Sequence, residues 1–389
     1  MKLHAIQAAL GSRQIDAWLF YDHHHRDPIA YRVLGLPQSM FTSRRWFYVI
    51  PATREPQKLV HRIEAGRLDS LPGAKQEYSS YQELASGLRA MLQGCKTVAM
   101  QYSPNNLVPY IGLVDAGTVE LVRSFGAEVV TSGDLVAQFE ATWTPEQVAS
   151  HFAAGQSIDR ITEEAFKEIG RRARSGGTHE YEIQQWLEEA FSREGLTNEN
   201  EPPIVSVNAN TGNPHYCCTA ECSAPIHEHD FVLLDIWGKK KTPGAVYYDI
   251  TWTGFVGPAP GSRLCEVFAI VRAARDLGVQ TARDAVAAKR RICGWEVDQA
   301  VRDYIEHSGY GRFFVHRTGH SIGEAVHGNG ANMDNLETRD EREIVPDSCF
   351  SVEPGIYLPE FGVRSEVDVL VHAGRAEVTG RIQQEIVII

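Results

Sequence analysis

Two aspartates stand where a β-strand would ordinarily carry aliphatic side chains. Asp235 interrupts Phe231-Val232-Leu233-Leu234-Asp235-Ile236-Trp237, and Asp249 sits between Tyr247-Tyr248 and Ile250, with Trp252 close behind. Asp is a poor strand former, and a buried carboxylate is costly unless it is paired or bound to a metal. Two more acids share the predicament. In Val363-Arg364-Ser365-Glu366-Val367-Asp368-Val369, read as one continuous strand, alternation points Glu366 with Arg364 and Asp368, opposite the valines. Glu353 closes the run Cys349-Phe350-Ser351-Val352 just before Pro354-Gly355, which places its carboxylate at a strand end beside a turn.

Any one of these acids has an ordinary reading as an N-cap, a surface turn or half of a buried salt bridge. Four within one domain ask for a common explanation. If they converge, their repulsion must be neutralised, and two divalent cations, contributing about +4, do this while supplying hydrolytic chemistry. His320, in His316-Arg317-Thr318-Gly319-His320-Ser321-Ile322-Gly323, adds a nitrogen donor between glycines that let the backbone approach closely. One imidazole with four carboxylates is an oxygen-rich set; it favours Mn(II), with Fe(II), Co(II) or Zn(II) as alternatives.

The 389 residues exceed a usual single domain, so two are expected, 1–140 and 141–389. In the first, a helix near residues 2–12 is followed by the β-type runs 17–21, 46–51, 58–61 and 97–102, an α/β pattern with a mixed or parallel sheet. The second opens at Thr144-Pro145-Glu146-Gln147, a capping box with proline at the first helical position, and a helix should run from there to about Arg174. Apolar residues at three- and four-residue steps mark three more helices, carrying Ile183, Leu187 and Phe191, then Leu264, Val267, Phe268 and Val271, then Val297, Val301, Tyr304 and Ile305. With the strands between them, this half reads as α+β, its helices covering one side of an antiparallel sheet.

A net charge of −12 argues against phosphate-backbone binding and so against nucleic-acid partners. Lys239, Lys240 and Lys241 form a short basic run, expected at a solvated hairpin tip. No apolar stretch is long enough for a membrane span, and His4 and Gln7 interrupt what would be the core of a signal peptide, so a cytoplasmic address is expected. Seven cysteines without paired spacing point to reduced thiols; a zinc cluster of His215, Cys217, Cys218 and Cys222 is the less favoured alternative.

The segments LLDIW through YYDITWTGFVG, HRTGHSIGEAVH, SVEPGIY and GVRSEVDVLV resemble, in this order, the metallopeptidase family with the pita-bread fold, which includes prolidase, aminopeptidase P, methionine aminopeptidase and the metal-free creatinase. The likeness runs from about residue 145 to the end, with a weaker one to the N-terminal domain of prolidase and aminopeptidase P. It implies an α/β domain followed by a pita-bread catalytic domain. It implies that Asp249 and Glu366 bridge two metals, that Asp235 completes one, and that His320 with Glu353 completes the other. Glu353 would shuttle a proton after attack by a metal-bridging hydroxide, His327 would contact the substrate carbonyl, His215 would lie near the scissile bond, and His316, Arg364 and Tyr357 would line the site. The implied reaction is cleavage of Xaa-Pro dipeptides. Alternatives are aminopeptidase P action on longer Xaa-Pro peptides, or hydrolysis or elimination on a small non-peptide amide. The family also implies a homodimer in which an N-terminal domain closes the site. Two departures stand out: a longer loop between Asp235 and Asp249, and Gly328-Asn329-Gly330 after His327, where many prolidases carry an acid.

Overall fold

The computed structural model describes residues 2–389, in two compact units, Met1–Glu140 and Ala141–Ile389.

The first unit carries strands β1 (Ala17–Asp22), β2 (Trp46–Pro51), β3 (Gln57–His61), β4 (Ala74–Tyr78), β5 (Thr97–Met100) and β6 (Glu128–Thr131) in the order β4-β3-β2-β1-β5-β6. Only β2 opposes its neighbours, so the sheet is mixed and five strands share one direction. Helices α1 (Leu3–Ser12), α2 (Pro28–Leu34), α3 (Tyr81–Met91), α4 (Ala116–Arg123) and α5 (Gly133–Glu140) connect and cover it. Alternate strand residues enter different cores. Trp18, Phe20, Tyr48 and Ile50 pack on one face, Leu19, Phe47, Val49 and Val98 on the other, as expected of a sheet covered on both sides.

The second unit begins with α6 (Pro145–Arg174). The Thr144 hydroxyl accepts from Gln147 N–H, and the Gln147 side chain accepts from Thr144 N–H, closing the predicted capping box. Then follow β7 (Thr178–His179), α7 (Glu180–Arg193), β8 (Leu196–Thr197), β9 (Ile204–Val207), β10 (Pro225–Ile226), β11 (Phe231–Lys240), β12 (Tyr248–Phe255), α8 (Ser262–Ala287) and α9 (Gly294–His307). The chain ends in β13 (Ser321–Ile322), β14 (Cys349–Val352), β15 (Gly355–Tyr357), β16 (Gly362–Arg364), β17 (Val367–His372), β18 (Arg375–Val378) and β19 (Val387–Ile388). The sheet β19-β12-β11-β8, with β9 also paired to β11, backs onto α6 and α7 through Val232, Leu234, Ile236, Tyr248 and Ile250. A second sheet, β13-β14-β17-β18, packs on α8 and α9 through Val279, Val297, Phe350, Val352 and Val369. Helices therefore shield the outer faces, and the inner faces are left for polar residues.

Three expectations are corrected. Residues 363–369 are not one strand: β16 ends at Arg364 and β17 starts at Val367, because Ser365 is pinned by the buried Arg275 of α8 (Nη1 to Oγ, 2.7 Å) while Glu366 N–H donates to Thr251 O. The lysine run is not a solvated tip. Lys239 and Lys240 lie inside β11; Lys239 Nζ pairs with Glu199 at 2.7 Å and Lys240 Nζ donates to Ser157 Oγ, leaving only Lys241 exposed. Tyr304 also falls off the apolar face of α9 and is exposed.

Candidate metal centre

Antiparallel pairing of β11 with β12 sets Asp235 opposite Thr251 and Trp237 opposite Asp249. Directly opposed residues share a face, so both aspartates leave the helix-backed side and project from the inner one. The strand break at Ser365 and Glu366 turns the Glu366 carboxylate toward the same place, where its Oε2 accepts from Thr251 Oγ1 at 2.8 Å.

His320 comes from the segment before β13, which α9 holds in position. Asp298, fully buried on that helix, accepts from Thr318 N–H and Oγ1 and from Asn335 N–H. Gly319 fits because nothing larger can: a Cβ there would lie 1.9 Å from Ser351 O. Gly319→Ala must therefore push His320 away from β14. We expect it to cost several kcal/mol, at the upper end of overpacking penalties of about 1–3 kcal/mol, and to lower the urea midpoint; an unchanged midpoint would show that the segment yields freely.

The Nδ1 of His320 faces Ser321 O at 3.3 Å. A carbonyl only accepts, so Nδ1 carries the proton and Nε2 presents its lone pair inward. That nitrogen lies 3.6 Å from Asp249 Oδ2 and 3.4 Å from Glu353 Oε1. Burial lowers the His320 pKa well below the usual value, with His327 and Arg317 adding to the effect, so the ring stays neutral. One donor atom each from Asp249, His320 and Glu366 lies within 4.8 Å of the others, and all three residues are buried.

Glu353, one residue beyond β14, accepts from Ser351 Oγ at 3.1 Å, and the same hydroxyl accepts from His320 N–H. Asp235 stands at the edge, taking hydrogen bonds from Thr251 Oγ1 and Arg364 Nη2. Arg364 also donates to Tyr357 OH, which donates to His316 Nε2 at 2.7 Å, while His316 Nδ1–H donates to Arg317 O. Both His316 nitrogens are thus engaged within the protein. His327 stacks edge-on to His320 with ring centroids 4.4 Å apart and is exposed, as is His215.

Burial is the first cause, and neighbouring carboxylates the second, of pKa values raised well above the usual range for Asp249 and Glu366; burial raises Glu353 to about 7. Asp249 Oδ1 is buried with no hydrogen-bond partner among the described residues. An orphan carboxylate oxygen amid like charges is unfavourable in a folded protein. A divalent cation at that point removes both penalties, and oxygen donors with one neutral imidazole suit it. The residues therefore fit the implied metals.

Several supporting residues escaped the sequence reading. Thr251 and Ser351 lie two positions from Asp249 and Glu353 on the same strand faces, a period-2 signal that was there to find. Asp368 is a further buried carboxylate whose Oδ2 accepts from Asp249 N–H at 2.9 Å. Glu180, in the first turn of α7, is fully buried. One oxygen accepts from Val207 N–H and Asn210 Nδ2, the other from Tyr216 OH and Ala224 N–H. It thereby ties both ends of the loop carrying His215. Glu180→Gln turns an amide N–H₂ against two donors, and should cost about 2–3 kcal/mol, the worth of a charge-assisted hydrogen bond. Amide exchange across 208–224 should rise in parallel; unchanged protection there would mean that the loop holds itself.

The description of metallopeptidase family M24 matches residues 156–373. A putative Xaa-Pro aminopeptidase of Mycoplasma pneumoniae is 30% identical over 232 residues, 58% of this chain and 60% of that protein. An Xaa-Pro dipeptidase of Lactobacillus helveticus is 30% identical over 225 residues, 57% of this chain and 55% of that protein. The chain thus spans less than two thirds of the length of these curated relatives. Among solved structures, dipeptidase PepE from Mycobacterium ulcerans aligns with a TM-score of 0.69 at 22% identity, covering 99% of this chain and 96% of that one. A recombinant prolidase from Thermococcus sibiricus aligns with 0.65 at 21%, covering 100% and 98%. At these identities the likeness is one of fold, the pita-bread arrangement with its preceding α/β domain.

Proposed function

Because the chain belongs to metallopeptidase family M24, we propose that it hydrolyses the Xaa-Pro bond of dipeptides, and that residues 141–389 carry the catalysis. The observation that carries this reading is the buried convergence of Asp249, His320 and Glu366, with one Asp249 oxygen that has no hydrogen-bond partner among the described residues. Asp249, His320 and Glu366, with Glu353 and Asp235 beside them, would hold two divalent cations, Mn(II) being the best match to the donors. When bound, such cations polarise the scissile carbonyl and make water a competent nucleophile near neutral pH.

The remaining work falls to side chains. Glu353 accepts the proton released by water and passes it to the leaving nitrogen, a step that a tertiary amide of proline cannot do without. Ser351 Oγ holds one oxygen of Glu353 in place, and Arg364 Nε stands 4.0 Å from the other. His327, exposed beside His320, donates to the carbonyl oxygen as charge develops there. His215 orients the C-terminal side of the substrate from the loop that Glu180 secures. Arg364 holds Asp235 through a hydrogen bond from Nη2 and fixes Tyr357, which with His316 forms a wall of the site.

Gly-Pro, Ala-Pro and Gly-Pro-Ala assayed side by side with added Mn(II) test the reading. Dipeptides should be cleaved and the tripeptide spared. Preferential cleavage of the tripeptide would move the assignment to aminopeptidase P, whose name one relative carries. Inactivity toward all three would overturn it in favour of a non-peptide amide.

A further inference from the structure

The second unit holds a further cavity, about 350 Å³ in volume, between α6, β12 and β19. Side chains alternate faces along a strand, so Trp252 leaves β12 on the helix-backed side with Tyr248 and Ile250, opposite Leu234 of β11. Asp249 and Thr251 leave the other side, and the cavity and the metal ligands thus lie on opposite faces of one strand. Phe166 of α6, Val387 and Ile389 supply the remaining apolar walls. Two glycines let Ile389 close one end. A Cβ on Gly254 would lie 2.6 Å from Ile389 and 2.7 Å from Phe166, and a Cβ on Gly170 would lie 2.7 Å from Ile389 and 3.0 Å from Arg174 Nη2.

The polar groups around this apolar space are unequally occupied. Its acids are engaged: Asp159 accepts from Tyr248 OH at 2.9 Å, and Glu163 pairs with Lys167 at 2.6 Å and with Arg381 at 3.3 Å. Thr162 donates to Ile158 O within α6, and the Ile389 carbonyl accepts from Gly257 N–H. Two donors remain. Trp252 Nε1–H is buried with no hydrogen-bond partner among the described residues, although Arg381 covers the indole ring at 5.3 Å. Arg174 forms no ion pair among the described residues, and its guanidinium folds back over Gly170 to the end that Ile389 closes. A buried N–H without an acceptor is unfavourable. An apolar pocket whose free polar groups are all donors therefore suits a ligand that brings acceptor oxygens on an apolar body.

We infer that this cavity binds a small carboxylate with an apolar tail, a medium-chain fatty acid in kind. The carboxylate is held by Arg174, whose planar donor fork matches it, with the indole N–H of Trp252 as second donor, and the tail lies against Phe166, Val387 and Ile389. The volume suits a ligand of about ten heavy atoms rather than a lone ion. Every group involved belongs to the second unit, and the inference does not rest on the peptidase reading.

Calorimetric titration of the full-length Mn(II)-loaded protein with octanoate, octanol and acetate tests the inference. Octanoate should bind at one site per chain, at least about tenfold more tightly than either of the others. Octanol lacks the charge; acetate lacks the tail and reports any carboxylate binding at the metals. Arg174→Gln, at an exposed position that leaves the fold intact, should weaken octanoate about tenfold, the worth of a charge-assisted hydrogen bond, with Mn(II) content unchanged. Trp252→Phe keeps an aromatic wall and removes the N–H, and should weaken octanoate about threefold. No saturable octanoate binding at millimolar concentration, equal affinity for octanol or acetate, or unaltered octanoate affinity in either variant would each overturn the site.

Discussion

Asp249→Ala should leave a folded protein that has lost at least about a thousandfold in affinity for divalent metal, and with it hydrolysis of Xaa-Pro dipeptides. The magnitude follows from position. Mutating a group that merely supports a metal ligand typically costs about 10- to 100-fold, whereas Asp249 is the buried centre of the set, 3.6 Å from His320, with an oxygen that has no hydrogen-bond partner among the described residues. The effect on stability should run the other way. Without metal, Asp249, Glu366 and Glu353 have folded-state pKa values above their unfolded ones. The native state then binds more protons than the unfolded chain, and stability falls as pH rises from about 4 toward 7. Chelated wild-type protein should show that fall in urea titrations, metal should abolish it, and chelated Asp249→Ala should show less of it. A wild-type protein equally stable at both pH values after chelation would contradict the reading of the four carboxylates as a mutually repelling group.

Glu353→Gln should lower kcat by about 10²- to 10⁴-fold while changing KM little, since proton transfer by a positioned group contributes that much to rate. The amide keeps the shape and an acceptor for Ser351 Oγ but cannot take up a proton. Steady-state kinetics on Ala-Pro, with metal content measured on the same sample, separates the two tasks assigned to this residue. Retained metal with low kcat supports the proton shuttle; retained metal with normal kcat removes it.

What could be read in advance, and what could not, follows from the range of each signal. Alternation along a strand is local, and it put Asp235 and Asp249 on the face away from Leu234 and Ile250, which is where the β11–β12 register leaves them. The helix beginning at Thr144 was equally legible, because its capping box lies within four residues. The break at Ser365 was invisible, since it depends on Arg275, which comes from a helix ninety positions earlier. Lys239 and Lys240 misled for the same reason: their partners, Glu199 and Ser157, are remote in sequence. Glu180 shows the limit most clearly. Its first-turn position is explained without reference to the loop it secures, so nothing local marks it as more than an end-of-helix acid.

The account stands or falls on whether these side chains hold metal at all. Purified protein should be stripped with a chelator, reconstituted with Mn(II), and analysed by inductively coupled plasma mass spectrometry alongside Ala-Pro hydrolysis. The prediction is two equivalents of metal per chain, activity lost on stripping and regained as the metal returns. Full activity in the stripped protein, or a reconstituted protein that retains no divalent metal, would contradict it.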